Sequence, residues 1–226
     1  MKKYSFLLVI LVLLAPATAF AQKSREFVRN QIGSWGECKN VAITKSNGDL
    51  ALYGSNGWAG TGLPSGLSVA LNELNRDKEL INDVQITDNG SWLILIGNNG
   101  FRGSGLPYGL KSKLIEYHNR NDVVLSVTFN DDGDWIIISH EYFSSSAKWI
   151  QEWLQDGHDR YGSLRAACVT SDAMVACYSG GCKLYGNVPS DLKRALQETD
   201  MDVYRIKIAG TAWFFGDVKG QCRYNM

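Results

Sequence analysis

The chain holds 226 residues, 45% of them hydrophobic, with 23 Lys and Arg against 23 Asp and Glu. That balance excludes the basic surplus by which a protein neutralises nucleic acid or an anionic membrane, so neither is expected as a partner. The apolar content suffices for a buried core, and no charge block or low-complexity tract points to disorder.

At the start, Lys2 and Lys3 precede an unbroken apolar run from Phe6 to Leu14, and Ala19-Phe20-Ala21 follows as a small-x-small site. This is the secretory pattern. It makes residues 1–21 a signal peptide and places cleavage before Gln22. Pro16 ends the apolar run well short of the roughly 20 residues that a spanning helix needs. Residues 22–226 are then one exported domain, periplasmic or secreted, with no membrane span in the mature form.

Next comes SREFVRNQI, from Ser24, which reads as a helix with Phe27, Val28 and Ile32 apolar. After it the chain repeats itself with a period of about 43 residues. VAITKSNGDLALYGSNGWAGTGLPSGL, from Val41, matches VQITDNGSWLILIGNNGFRGSGLPYGL, from Val84. Further copies begin at Val127 and Ala167, and a shortened fifth at Arg205 stops after its second strand. Within a copy, alternating apolar residues such as Val84 and Ile86 mark a first strand. Asn47-Gly48, Asn89-Gly90 and Asp132-Gly133 supply hairpin turns. Second strands such as Leu93–Ile96 are apolar throughout, as in strands covered on both faces. Pro64, Pro107 and Pro189 fit the first turn of a helix, and pairs such as Leu67 and Leu71 give that helix one apolar edge.

Each unit is therefore ββα, or βββα if the Gly-rich loop around Gly100 to Gly105 forms a third strand. The units span residues 38–80, 81–123, 124–163, 164–203, and 204–226 together with 22–37. Stacked units can form an open solenoid or a closed ring; since the fifth unit lacks a helix and the segment before the first reads as one, an α/β repeat domain closed into a five-bladed, propeller-like toroid is expected over the solenoid. The N-terminal helix would complete the last unit and leave no sheet edge exposed. In architecture this arrangement resembles the α/β-propellers of the pentein type, although no motif specific to that family is present.

All five cysteines, Cys38, Cys168, Cys177, Cys182 and Cys222, follow the signal segment, where an oxidising compartment favours disulfides. Counting outward from a turn at 171–174 sets Cys168 opposite Cys177, and ring closure would bring Cys38 to Cys222, with Cys182–Cys222 as the rival bond. The Cys and His spacing does not suit zinc, and neither a metal nor a cofactor is expected.

The third unit departs most from the repeat. Where the others have Gly-rich loops it reads Ser139-His140-Glu141-Tyr142-Phe143, and it loses Gly-Leu-Pro. A helix with Trp149 and Trp153 follows, then His158. Two function classes fit. A binding module for an extracellular or periplasmic carbohydrate or protein would use the loop aromatics Tyr142, Phe143, Trp58 and Phe101 beside Asn56 and Asn99. The alternative is a thiol-dependent hydrolase of pentein-like architecture, with Cys222 or Cys182 as nucleophile, His140 as base and Glu141 or Asp159 orienting it. No hydrolase or phosphate-loop motif supports the second class.

Overall fold

The structure is a computed structural model that describes residues 22–46 and 48–226. The signal peptide expected at 1–21, and Asn47 of the first expected Asn-Gly turn, lie outside the described residues. Residues 22–35 are helical (α1). Five antiparallel sheets follow, each of three consecutive strands in chain order. They comprise β1 (Asn40–Ala42), β2 (Asp49–Tyr53) and β3 (Gly57–Thr61); β4 (Ile81–Ile86), β5 (Trp92–Ile96) and β6 (Gly100–Ser104); β7 (Val124–Phe129), β8 (Trp135–Ser139) and β9 (Phe143–Ser145); β10 (Leu164–Val169), β11 (Ala173–Tyr178) and β12 (Gly181–Gly186); β13 (Arg205–Ala209), β14 (Ala212–Gly216) and β15 (Cys222–Tyr224). Between them lie α2 (Leu67–Arg76), α3 (Leu110–Asn119), α4 (Lys148–Tyr161) and α5 (Ser190–Gln197).

The unit is thus βββα, with the Gly-rich loop forming its outer strand. The fifth unit also has that strand, β15, which the shortened repeat hides because no Gly-Leu-Pro follows it. Pro64 and Pro107 stand one turn ahead of their helices, their carbonyls accepting from Leu67 and Leu110 N–H at 3.1 and 3.2 Å. Gly66 and Gly109 then enter the helix at φ 83° and 80°, a conformation that L side chains avoid. Only Pro189 directly abuts its helix.

Five apolar clusters hold the units together, and each lies between two sheets. Leu67, Leu71 and Leu74 of α2 pack between Leu50 and Leu52 of the first sheet and Ile81, Val84 and Ile94 of the second. The other face of the second sheet, Leu93 and Leu95, meets Leu110 and Leu114 of α3 and Val127 and Ile137 of the third. This is why the second strands are apolar on both faces. The pattern recurs through α4 and α5. In the fifth cluster Val28 and Ile32 of α1 lie with Ala209 and Phe214 of the last sheet and with Val41 and Ala51 of the first. Burying one Leu or Phe side chain contributes about 1.5–3 kcal/mol, so each junction is held mainly by such residues. Ser24 Oγ and Arg25 tie α1 to the first sheet as well, through Asp49.

One strand register differs from the sequence expectation. Ser171 and Asp172 alone form the β10–β11 turn, closed by Thr170 N–H to Ala173 O at 2.9 Å. Cys168 therefore opposes Val175, and Cys177 opposes Ala166. Cys168 and Cys177 are diagonal neighbours, about 7–8 Å apart, too far for the expected disulfide. The count fails by two residues because Thr170 Oγ1 takes the turn's N–H groups, from Asp172 at 3.4 Å and Ala173 at 3.0 Å, and tightens the loop.

Candidate functional site

Unit three carries a cleft of about 300 Å³ between the end of the β8–β9 hairpin and α4. The tight turn at 139–142 positions its rim. Ser139 N–H and Oγ both donate to Tyr142 O, at 2.8 and 2.9 Å, and Ser139 Oγ accepts from Tyr142 N–H at 3.0 Å. His140 N–H donates to Val123 O at 3.1 Å, which docks the turn on the preceding segment. The fixed turn leaves Tyr142 60% exposed, with the Arg120 guanidinium 5.7 Å from the centre of its ring.

The far wall comes from α4, where Gln151, Gln155 and His158 line the cleft at successive turns. Gln151 is committed to the hairpin, donating to Phe143 O at 3.3 Å and accepting from Ser145 Oγ at 3.2 Å. His158 lies 6.0 Å from the Phe143 ring, and its Nδ1 is buried without a hydrogen-bond partner. A buried polar atom left so costs about 1–3 kcal/mol, and His158 lines the cleft.

The structure distributes the expected site residues unevenly. His140, Glu141, Tyr142 and Phe143 line this one cleft, Phe143 with one side against the core. Trp58 and Phe101 instead pack on the cores of units one and two. Asn56 and Asn99 serve the scaffold: Asn56 exchanges hydrogen bonds with Asn75 at 3.1–3.2 Å, and Asn99 donates to Asn121 at 3.3 Å. No cysteine lines the cleft, since Cys182 borders a separate depression in unit four and Cys222 joins the cluster between the last and first sheets. The dyad of His140 with either cysteine is therefore not assembled.

A second groove, of about 600 Å³, lies where units three and four meet. At three of the other junctions a tryptophan fills this place, and in unit one the equivalent position is Asp49. Trp92 lies over Gly66, Trp135 lies over Gly109 and donates to Tyr108 O at 3.2 Å, and Trp213 donates to Asp191 Oδ2 at 2.8 Å. By register the equivalent residue of unit four is Met174. Unit three also lacks the Gly-Leu-Pro against which a tryptophan would lie. Trp149 and Tyr185 border the opening with ring centres 5.7 Å apart, each about half exposed. Aligning the repeats by strand register, rather than by loop motif, would have revealed this loss.

Among the described residues no group of three His, Cys, Asp or Glu side chains is placed to hold a metal ion, and no helix is long and apolar enough to cross a membrane. No family model and no curated protein matches the chain. Among solved structures it is similar to one described as YCF48 bound to D1 peptide, at 10% identity and a TM-score of 0.31. That match covers 84% of this chain and 50% of the other, so the chain spans half the length of that protein.

Proposed function

We propose that this chain is an exported binding module that takes a carbohydrate in the cleft of its third unit. The observation that carries this reading is the cleft's composition. One exposed aromatic face, Tyr142, stands beside two imidazoles, two amides and a carboxylate, and one imidazole nitrogen is buried without a partner. A sugar offers an apolar C–H face to such a ring and hydroxyls to such polar groups. The volume falls at the small end of ligand sites.

Export rests on the signal pattern at residues 1–21. The five junctions, the last of them joining the final sheet to the first, support a closed toroid. In an oxidising compartment a Cys38–Cys222 bond would lock that closure. Cys38 N–H already donates to Gly220 O at 2.9 Å, and the two cysteines share one cluster.

A protein ligand is the second reading, favoured by the half-exposed Trp149 and Tyr185 in the wider groove. An array of defined oligosaccharides, probed with the purified protein, separates the two. Tyr142→Ala should weaken retention by roughly tenfold, as expected for losing an aromatic contact of about 1 kcal/mol together with its buried area, at unchanged melting temperature. Absence of retention by the parent protein, or retention unaffected by Tyr142→Ala and His158→Ala, would remove the carbohydrate reading. Sensitivity to Trp149→Ala alone, with a protein ligand, would favour the second.

A further inference from the structure

The β11–β12 hairpin brings two thiols together in a way the repeat does not require. Its turn consists of Ser179 and Gly180, with Tyr178 opposite Gly181 as the closing pair and Cys177 opposite Cys182 as the next. In a two-residue hairpin the closing pair is hydrogen-bonded, so the next pair is not, and at such pairs the side chains approach most closely. The two sulfurs stand 2.8 Å apart.

We propose that Cys177 and Cys182 are a redox-active pair that closes into a cross-strand disulfide by exchange with a disulfide-bearing oxidant. The two sulfurs differ in access. Cys177 is 1% exposed, whereas Cys182 is only partly buried, and both border an open depression of about 270 Å³ beside Thr199–Val203. The hydrogen bond between the sulfurs lowers the Cys182 thiol below its usual range and, together with burial, raises that of Cys177. Cys182 is therefore the attacking thiolate and Cys177 the resolving thiol.

The exchange balances in two steps. The Cys182 thiolate attacks one sulfur of the oxidant disulfide, forming a mixed disulfide and releasing one thiolate. Cys177, losing its proton to solvent, then attacks the Cys182 sulfur and displaces the second thiolate. The oxidant disulfide leaves as two thiols, and the protein's two thiols become one disulfide. The loop so closed is short, so the bond adds little stability and its state is set by the surrounding redox poise. Neither ligand reading bears on this pair.

The test equilibrates the intact reduced protein with oxidised and reduced glutathione, then quenches with an alkylating agent. Chymotryptic cleavage after Tyr178 separates the two cysteines, so a Cys177–Cys182 bond joins two peptides that part on reduction. The expected result is that linked pair, with Cys182 in the reduced protein alkylated at least roughly tenfold faster than Cys177. Cys177→Ser should trap the glutathione adduct on Cys182, and Cys182→Ser should take up none at Cys177. Four outcomes overturn the proposal: both thiols alkylated at every ratio, a lasting adduct on Cys182 in the parent protein, a Cys168–Cys177 bond, or a Cys182–Cys222 bond.

Discussion

At neutral pH Asp49 holds a carboxylate where water does not reach. Its side chain is 0% exposed, accepts the Thr44 N–H at 2.9 Å and lies 3.4 Å from the Arg25 guanidinium. Burial outweighs both partners and pushes its pKa up to about 6, against an ordinary value of 3.8. With the folded value above the unfolded one, protonation favours folding. The contribution is full below 3.8 and is lost as pH rises through about 6. The melting temperature of the parent protein relative to Asp49→Asn should therefore fall between about pH 4 and pH 7. A flat difference across that window would mean that the carboxylate is better satisfied than its burial implies. Gly157 is a second residue with a measurable constraint. A methyl group there would lie 2.1 Å from the Tyr178 hydroxyl oxygen and 2.3 Å from its Cζ. That hydroxyl donates to Leu154 O at 3.0 Å, so the ring is not free to withdraw. Although Ala is the better helix former, Gly157→Ala should destabilise by about 1–3 kcal/mol in denaturant titration. Stabilisation would show that the Tyr178 contact yields freely.

At the scale of elements, α1 has the clearest consequence. It is the first described segment, yet its apolar face covers the last sheet. Removing residues 22–35 would expose Phe214 and Ala212 and leave Asp49 without Ser24 and Arg25. The truncated chain should lose several kcal/mol, each large side chain at that junction contributing about 1.5–3 kcal/mol. Hydrogen exchange should show the first loss of protection in β13 and β14. A truncation as stable as the parent chain would mean that α1 is an appendage. This helix was legible in the sequence, because Val28 and Ile32 keep helical spacing while the fifth repeat visibly lacks a helix. The strands and hairpins were legible for the same reason: the repeat copied each signal several times, whereas the Gly-rich segment stayed open between loop and third strand, and in unit five that strand was hidden. The register of β10–β11 was not, because a Thr170 hydroxyl bond sets the turn length and no count of apolar positions reveals it. In the candidate cleft Tyr142, Phe143 and His140 stood out as departures from the repeat. Gln151 and Gln155 did not, since a helix carries such residues on any exposed face and only the docking angle of α4 turns them inward.

For the whole molecule, the informative feature is a buried polar hub that no motif announced. Asp83, 2% exposed, accepts from Asn40 Nδ2 of unit one at 2.6 Å, from Val127 N–H of unit three at 3.2 Å and from Lys207 Nζ of unit five at 3.0 Å. Lys207 also donates to Gln85 Oε1 at 3.0 Å. The hub is invisible to periodicity because its members come from different repeats, far apart in sequence. Removing one partner of such a pair costs about 3–5 kcal/mol, since the other charge stays buried. Units two and five are separated by two whole repeats, so an open solenoid would keep Asp83 and Lys207 apart. The proposed closed arrangement accounts for their hydrogen bond. The most direct measurement is a double-mutant cycle on unfolding free energy with Asp83→Asn, Lys207→Met and the double variant. Closure predicts a coupling energy above about 1 kcal/mol, as for residues in one network. Additive effects within about 0.5 kcal/mol would place the two residues in separate surroundings and contradict the ring.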